Sequence, residues 1–336
     1  MPAALRQSND EELRRCLERA LAGLESSSPT VAELSRQPFE YETSFAIDAL
    51  AVRLSDGRDL DLLVKDVGTV GLSASAAAAK PARALDPRRE IAVYRSALQG
   101  SGVPAPRFYG AAEDAASGRA WLFLERVPGE VLADVGEDEA WRAAARWAAR
   151  LGAAVQARWD PALDPLLLDR DRGWHEHWTA AAVASCEGSG RTELALRLRR
   201  CTPALLDRIE GLPRAFVHGE LYASNVIVQR QGPEPAQVKP VDWEMAGTGP
   251  FALDLAAILT GWEGEAREAM CEAFYEALPD AVRATISRDE LREAVALCEL
   301  ALALQWLGWA SDWLAPAEHR RDWAAEAARL LEETGL

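Results

Sequence analysis

No CxxC pair occurs among the five cysteines, which are scattered at Cys16, Cys186, Cys201, Cys271 and Cys298. An odd, dispersed set of thiols argues against a disulfide framework and reads as reduced packing cysteine in a cytoplasmic protein. A basic surplus is missing too. The formal net charge is -16, which argues against nucleic acid or an anionic membrane as a partner and mildly favours a cationic ligand. The opening MPAALRQSNDEELRR has no basic region followed by an apolar stretch, so no signal peptide is expected. Long apolar runs are also lacking. The most apolar segment, Ala294 to Trp309, is broken by Glu299 and Gln305 and falls short of the roughly 20 residues that cross a bilayer. A buried helix is the expectation there. No internal repeat or long linker is found, and nothing in the sequence sets an oligomeric state.

The chain of 336 residues, 49% hydrophobic and 27% charged, is an ordinary globular composition with room for two lobes. DEELRRCLERALAGL carries Leu13, Cys16, Leu17, Leu21 and Leu24 at helical spacing, an amphipathic first helix. From Tyr41 to Val67 the pattern changes to short apolar runs around Asp56-Gly57, a hairpin signal. GTVGLSASAAAAKPARALD reads as a loop. In DPRREIAVYRSAL, Asp86 suits the N-cap, Pro87 the first helical position, and Ile91, Tyr94 and Leu98 share a face. Two further strands follow, the second, AWLFLERVPGE, ending in a Pro-Gly turn. A mainly helical half then begins, with one β-like island, NVIVQRQGPEPAQVKPVDW, and helix breaks at Pro279 and Pro316. The order predicts an α+β chain of two lobes: a small antiparallel-sheet lobe with an extra N-terminal helix over residues 1–126, and a larger helical lobe over 127–336.

The island concentrates the chemistry. NVIV and VKPV flank a polar turn and are expected to pair as antiparallel strands, which brings their open ends together. Asn225 precedes the first strand and Asp242 follows the second. An amide oxygen and a carboxylate side by side suit Mg²⁺, with phosphate oxygens completing its shell. The bland alternative is that both are turn formers. His218 and Glu220 lie just upstream. Lys65 alternates with Leu63 and Val67 in an apolar strand; the bland reading is an edge lysine with its head in water.

HGELYASN followed by VDWEMAGTGPFALDLA resembles the aminoglycoside phosphotransferase family, the small-molecule branch of the protein-kinase-like fold. The family pattern is H-G-D-x-x-x-x-N, then a strand-borne Asp, then a G-x-P-x-x-D-L-A tail. The resemblance implies a two-lobed kinase-like fold and an ATP- or GTP-dependent kinase that phosphorylates a hydroxyl of an amino sugar, antibiotic, sugar or amino alcohol. It implies Mg²⁺ on Asn225 and Asp242, with Glu244 as an auxiliary ligand or substrate contact. His218 would hold the catalytic loop, and Asp254 would brace it. Lys65 would meet the α- and β-phosphates, paired with Glu90, whose bland reading is a solvated first-turn Glu. WLFLERVPG resembles the hinge, where backbone near Glu125 to Val127 would read the base. No G-x-G-x-x-G loop is present, so Thr43 and Ser44 would offer phosphate donors instead.

One position departs from the family: Glu220 stands where Asp is usual. Both are carboxylates, with ordinary pKa values of about 4.3 and 3.9, so a base that orients and deprotonates a hydroxyl is retained with one more methylene of reach. The alternative is a nucleotide-binding pseudokinase or scaffold. A metal hydrolase around His218, Glu220 and Asp242 is a third reading, disfavoured because no P-C-x-x-C follows. His175 and His177 would point to different helix faces and read as surface or pocket-wall histidines. Trp306, Trp309 and Trp313 share a helical face, read first as core and second as an acceptor wall; LDRDRGWHEHW is the other candidate wall.

Overall fold

Apolar residues alternating on both sides of Asp56-Gly57 form the expected hairpin. The computed structural model of the chain describes residues 10–24, 29–39, 44–68, 70–73, 82–114, 118–230, 236–309 and 321–336. The chain divides into two compact units, Met1–Pro128 with Asp160–Leu166, and Gly129–Trp159 with Leu167–Leu336. The return of Asp160–Leu166 to the first unit has no signal in the sequence.

The first unit opens with helix α1 (Asp10–Ala22). Strands β1 (Val31–Pro38), β2 (Ile47–Leu54) and β3 (Asp59–Asp66), helix α2 (Arg88–Ala92), and strands β4 (Phe108–Asp114) and β5 (Arg119–Glu125) follow. The five strands form one sheet in the order β1-β2-β3-β5-β4, every pair antiparallel. Gly57 turns the β2–β3 connection at φ +89°, a region open to glycine at no steric cost. Leu13, Cys16, Leu17 and Leu21 of α1 pack with Leu50, Leu62, Val64 and Phe123 of the sheet. Leu24 lies past the helix end and is exposed, so it does not extend that stripe. The N-cap of α2 is Pro87, one residue later than the expected Asp86, whose carboxylate still accepts the Arg88 N–H at 3.0 Å. The helix then widens into a π-helical turn over Val93–Leu98 that buries Tyr94 and Leu98.

The second unit begins with β6 (Glu130–Val131), α3 (Asp138–Gln156), β7 (Leu168–Asp169), α4 (Arg172–Gly188) and α5 (Thr192–Glu210). Strands β8 (Arg214–Val217), β9 (Val226–Gln229), β10 (Gln237–Pro240) and β11 (Gly247–Pro250) come next. Helices α6 (Leu253–Leu259), α7 (Gly264–Ala277), α8 (Asp280–Arg283), α9 (Arg288–Trp309) and α10 (Trp323–Glu333) complete it. The expected hairpin is β9–β10; its turn, 231–235, lies outside the described residues. A second small sheet, β7-β11-β8, escaped the sequence reading because β7 is too short for alternation to register. Helix α9 packs against α4 and α10, and its two polar interruptions are buried. Glu299 accepts both arms of the Arg267 guanidinium, at 2.6 and 2.8 Å, and Gln305 is enclosed. The break at Pro279 separates α7 from α8; Pro316 lies outside the described residues. Among the described residues, no helix is long and apolar enough to cross a membrane.

Candidate active site

The candidate residues fall into two groups, one in each unit. In the first unit, Lys65 sits on β3, an interior strand of the sheet, between Ile47 of β2 and Leu122 of β5. It is therefore no edge lysine. Period-2 alternation turns it to the face opposite Leu62 and Val64, away from α1. Its side chain is 6% exposed, and Nζ meets Glu90 Oε2, itself 3% exposed, at 2.8 Å. The Phe45 ring lies 5.4 Å from the ammonium. Glu90 is thus an interior partner and not a solvated first-turn residue. Its neighbour Arg89 fastens α2 by donating to the carbonyls of Leu166 at 2.6 Å, Ala84 at 3.0 Å, and Arg83.

Ser44 is buried, and its carbonyl accepts the Ser73 N–H at 2.9 Å, next to a bridge between Phe45 and Leu72. Thr43 lies outside the described residues. At the expected hinge, the Glu125 carboxylate accepts the Arg107 N–H at 2.9 Å. The Glu125 and Arg126 N–H groups donate to Arg107 and Asp61 carbonyls at 2.8 and 3.1 Å. Val127 lies beyond the last of these bonds.

In the second unit, β8 ends at Val217 and the chain turns sharply through His218 and Gly219. Gly219 has φ +87°; a Cβ there would lie 1.9 Å from Arg170 Nη2 and 2.4 Å from the Met245 carbonyl, so only glycine fits. Asp254, in the first turn of α6, grips this bend. Its Oδ2 accepts the His218 N–H at 2.7 Å and its Oδ1 the Gly219 N–H at 2.9 Å. Burial pushes the Asp254 carboxyl up to about 6, against the lowering effect of the two N–H groups and of Arg170.

His218 is fully buried, its ring 4.4 Å from that of Trp243. Its Nδ1 accepts the Glu220 N–H at 3.3 Å. That assigns the ring proton to Nε2, which donates to the Val241 carbonyl at 2.9 Å. The Glu220 carbonyl in turn accepts the Tyr222 N–H at 2.8 Å and the Asn225 Nδ2 at 2.9 Å. Glu220 itself is 8% exposed.

The hairpin register pairs Val226 with Pro240, and the Val241 N–H continues it by donating to the Asn225 carbonyl at 2.9 Å. Asn225 and Asp242 therefore emerge from the same end of the hairpin. The Asn225 amide nitrogen is committed to Glu220, which leaves its Oδ1 for a cation. Asp242 has φ +66° and ψ +66°, the one non-glycine residue at positive φ among the described residues. Such a conformation costs on the order of 1 kcal/mol and collects at functional sites. Glu244 is buried in the turn Trp243–Met245 that follows. Among the described residues, no three or more His, Cys, Asp or Glu side chains converge into a metal cage. An amide oxygen plus carboxylates is an all-oxygen donor set, fitted to a hard cation that takes its remaining ligands from phosphate and water.

Two residues near this loop escaped the sequence reading. Tyr222 accepts a hydrogen bond from Trp306 Nε1 at 2.6 Å, and burial first, then the Glu220 charge, raises its phenol pKa. Arg170 is a wholly buried cation, 2% exposed; the alternation of charge in LDRDRGW gave no sign that one arginine turns inward. Trp306 stacks on Trp323 and meets Trp309 edge-on, all three buried, which is a core arrangement. Trp313 lies outside the described residues. His175 and His177 do face apart on α4; His177 is exposed, but His175 is not at the surface. It is buried, and desolvation, with Arg170 adding to it, pushes it down to about 4.

A family model described as "Phosphotransferase enzyme family" matches residues 44–294. Among solved structures, the chain is similar to a "putative aminoglycoside phosphotransferase" from Ralstonia eutropha JMP134, with 17% identity, 97% of each chain covered and a TM-score of 0.59. It is similar to the GDP complex of wild-type aminoglycoside 2'-phosphotransferase-IIIa, with 13% identity, 97% and 98% covered and a TM-score of 0.56. It is also similar to an amicoumacin kinase in complex with AMP-PNP, Ca²⁺ and Ami, with 15% identity, 89% and 87% covered and a TM-score of 0.52. At these identities the likeness establishes the protein-kinase-like fold. No match was found among the curated proteins.

Proposed function

Because the chain belongs to the phosphotransferase enzyme family and is a small-molecule phosphotransferase, we propose that it moves the γ-phosphate of ATP or GTP to a hydroxyl of a small molecule. Glu220 orients that hydroxyl and accepts its proton as the oxygen attacks phosphorus and the bond to the β-phosphate oxygen breaks. Asn225 and Asp242, with Glu244 as an auxiliary ligand, hold Mg²⁺. The bound ion supplies charge neutralisation on the phosphate oxygens. Lys65, steadied by Glu90, neutralises the α- and β-phosphates. Ser44 and Thr43 offer donors to phosphate, and peptide groups near Glu125 and Val127 receive the base.

The observation that carries this reading is the pair of hydrogen bonds made by the His218 ring, one accepted from the Glu220 N–H and one donated to the Val241 carbonyl. It fastens the segment bearing the base to the strand that leads into Asp242. Phosphoryl transfer depends on positioning and electrostatics more than on covalent chemistry, and a rigid link between the two segments serves that need. The GDP and AMP-PNP held by the similar structures make both nucleotides sensible probes. The surplus of acidic residues favours a cationic acceptor, so amino sugars and amino alcohols head the panel.

The test couples ADP or GDP release to a panel of amino sugars, antibiotics, sugars and amino alcohols. Glu220→Gln should lower turnover by roughly 10²-fold or more while MgATP or MgGTP still binds. Near-normal turnover in that variant would remove Glu220 as the base. Asp242→Asn should weaken Mg²⁺-nucleotide binding, and unchanged affinity would remove the metal assignment. Nucleotide binding with no transfer to any acceptor would favour a binder over an enzyme.

A further inference from the structure

We infer that Arg170 is a positioning residue for Glu220, its buried side chain locking the Gly219–Glu220 peptide against the turn that follows Asp242. This rests on the phosphotransferase reading above and adds to it a residue outside every motif. Arg170 leaves β7 with its backbone N–H donating to the Thr248 carbonyl at 2.9 Å. Its side chain then runs beneath the second small sheet. Nη2 donates to the Met245 carbonyl at 2.5 Å, and the guanidinium carbon lies 5.4 Å from the Trp174 ring.

Three glycines leave the space it occupies. A Cβ on Gly219 would fall 1.9 Å from Nη2, one on Gly247 2.9 Å from Nη1, and one on Gly249 3.2 Å from Cδ. The guanidinium therefore touches the residue before Glu220 and bonds to the third residue after Asp242. A rigid planar fork with an obligatory charge suits such a double seat; a lysine has the charge but not the plane. The charge also reaches Asp254, which grips the loop, and offsets part of the rise that burial gives its carboxyl. His218 ties the two segments at one point, and Arg170 ties them at a second.

The test uses the full-length protein with Arg170→Met, Arg170→Lys and Gly249→Ala. Gly249→Ala pushes on Arg170 by a few tenths of an ångström, without a positive φ and without removing any proposed site residue. Amide hydrogen exchange over 216–225 and 241–247 needs no substrate and should rise in all three, while 47–66 in the first unit stays unchanged. With an acceptor from the panel, kcat should fall about 10²-fold in Arg170→Met, as for a misplacement of about 1 Å, and less in Arg170→Lys and Gly249→Ala. KM and the affinity for MgATP or MgGTP should stay within about twofold in all three, because the loss is one of orientation.

Unchanged exchange with unchanged kcat in a folded Arg170→Met would overturn the inference. So would a loss confined to KM. If Arg170→Met does not fold, the other two variants decide on the same readouts. If the unmodified protein transfers no phosphate, the proposed function fails, and the exchange data still decide whether Arg170 fixes the loop.

Discussion

His218 Nε2 and the Val241 carbonyl oxygen are 2.9 Å apart, joined by a hydrogen bond that closes the gap between the Glu220 loop and the strand entering Asp242. The other ring nitrogen accepts the Glu220 N–H, so one neutral imidazole serves both sides. Replacing His218 by Gln keeps a donor but cannot span both partners. Turnover should fall at least tenfold, with nucleotide affinity little changed, as expected when orientation is lost. Steady-state kinetics beside a nucleotide titration measure this.

Glu220→Asp tests reach. The Glu220 backbone is fixed by His218, Tyr222 and Asn225, so a shorter carboxylate cannot advance by moving the chain. A loss of roughly ten- to a hundredfold in kcat is expected. Equal activity in Glu220→Asp would show that the loop adapts.

Lys65 and Glu90 form an enclosed ion pair. Losing one partner leaves the other charge buried, at a cost of roughly 3–5 kcal/mol in such settings. Glu90→Gln should therefore lower both thermal stability and nucleotide affinity. The double variant Lys65→Met/Glu90→Leu should recover stability but not nucleotide binding. Urea unfolding and nucleotide titration separate the two effects.

Asp254 gives a pH dependence whose sign can be worked out. Its carboxyl is raised by burial from 3.8 to about 6 in the folded chain. The folded state therefore takes up a proton before the unfolded state does as pH falls. Protonation relieves the desolvation cost, so Asp254 adds no acid instability between about 6 and 4. Yet the protonated group loses part of its capacity to accept from His218 and Gly219. Turnover should fall as pH drops through about 6 while the fold persists. Asp254→Asn should flatten that limb; kcat against pH, alongside thermal melts, checks it.

Trp306→Phe deletes the donor to Tyr222 and leaves a buried hydroxyl without it. A loss of about 1–3 kcal/mol is expected. Trp306→Phe with Tyr222→Phe should recover part of it, as read by a double-mutant cycle in urea.

Much of this arrangement was legible from residue order. Helical spacing in α1, alternation around Asp56-Gly57 and the paired runs NVIV and VKPV are local patterns, and each encodes which side of an element is buried. The hairpin alone placed Asn225 beside Asp242. The motifs HGELYASN and GPFALDLA pointed to the loop and to the acid that holds it. Where local pattern was ambiguous, the sequence left alternatives. An apolar strand with one lysine fits an edge or an interior position equally well, and only the order β1-β2-β3-β5-β4 makes Lys65 interior. The tryptophans of α9 fit core or pocket wall, and burial of Trp306 and Trp309 decides for core.

The sequence by itself determined the residue types available for phosphoryl transfer, their order, and the elements that carry them. The tertiary structure alone decided that Arg170 turns inward beneath Gly219, that Arg89 fastens the helix bearing Glu90, and that burial raises the Asp254 carboxyl to about 6. The reason is range. Periodicity reports contacts within a turn or a strand, whereas Arg170 meets Met245 from 75 positions away, and no local pattern records a contact at that distance.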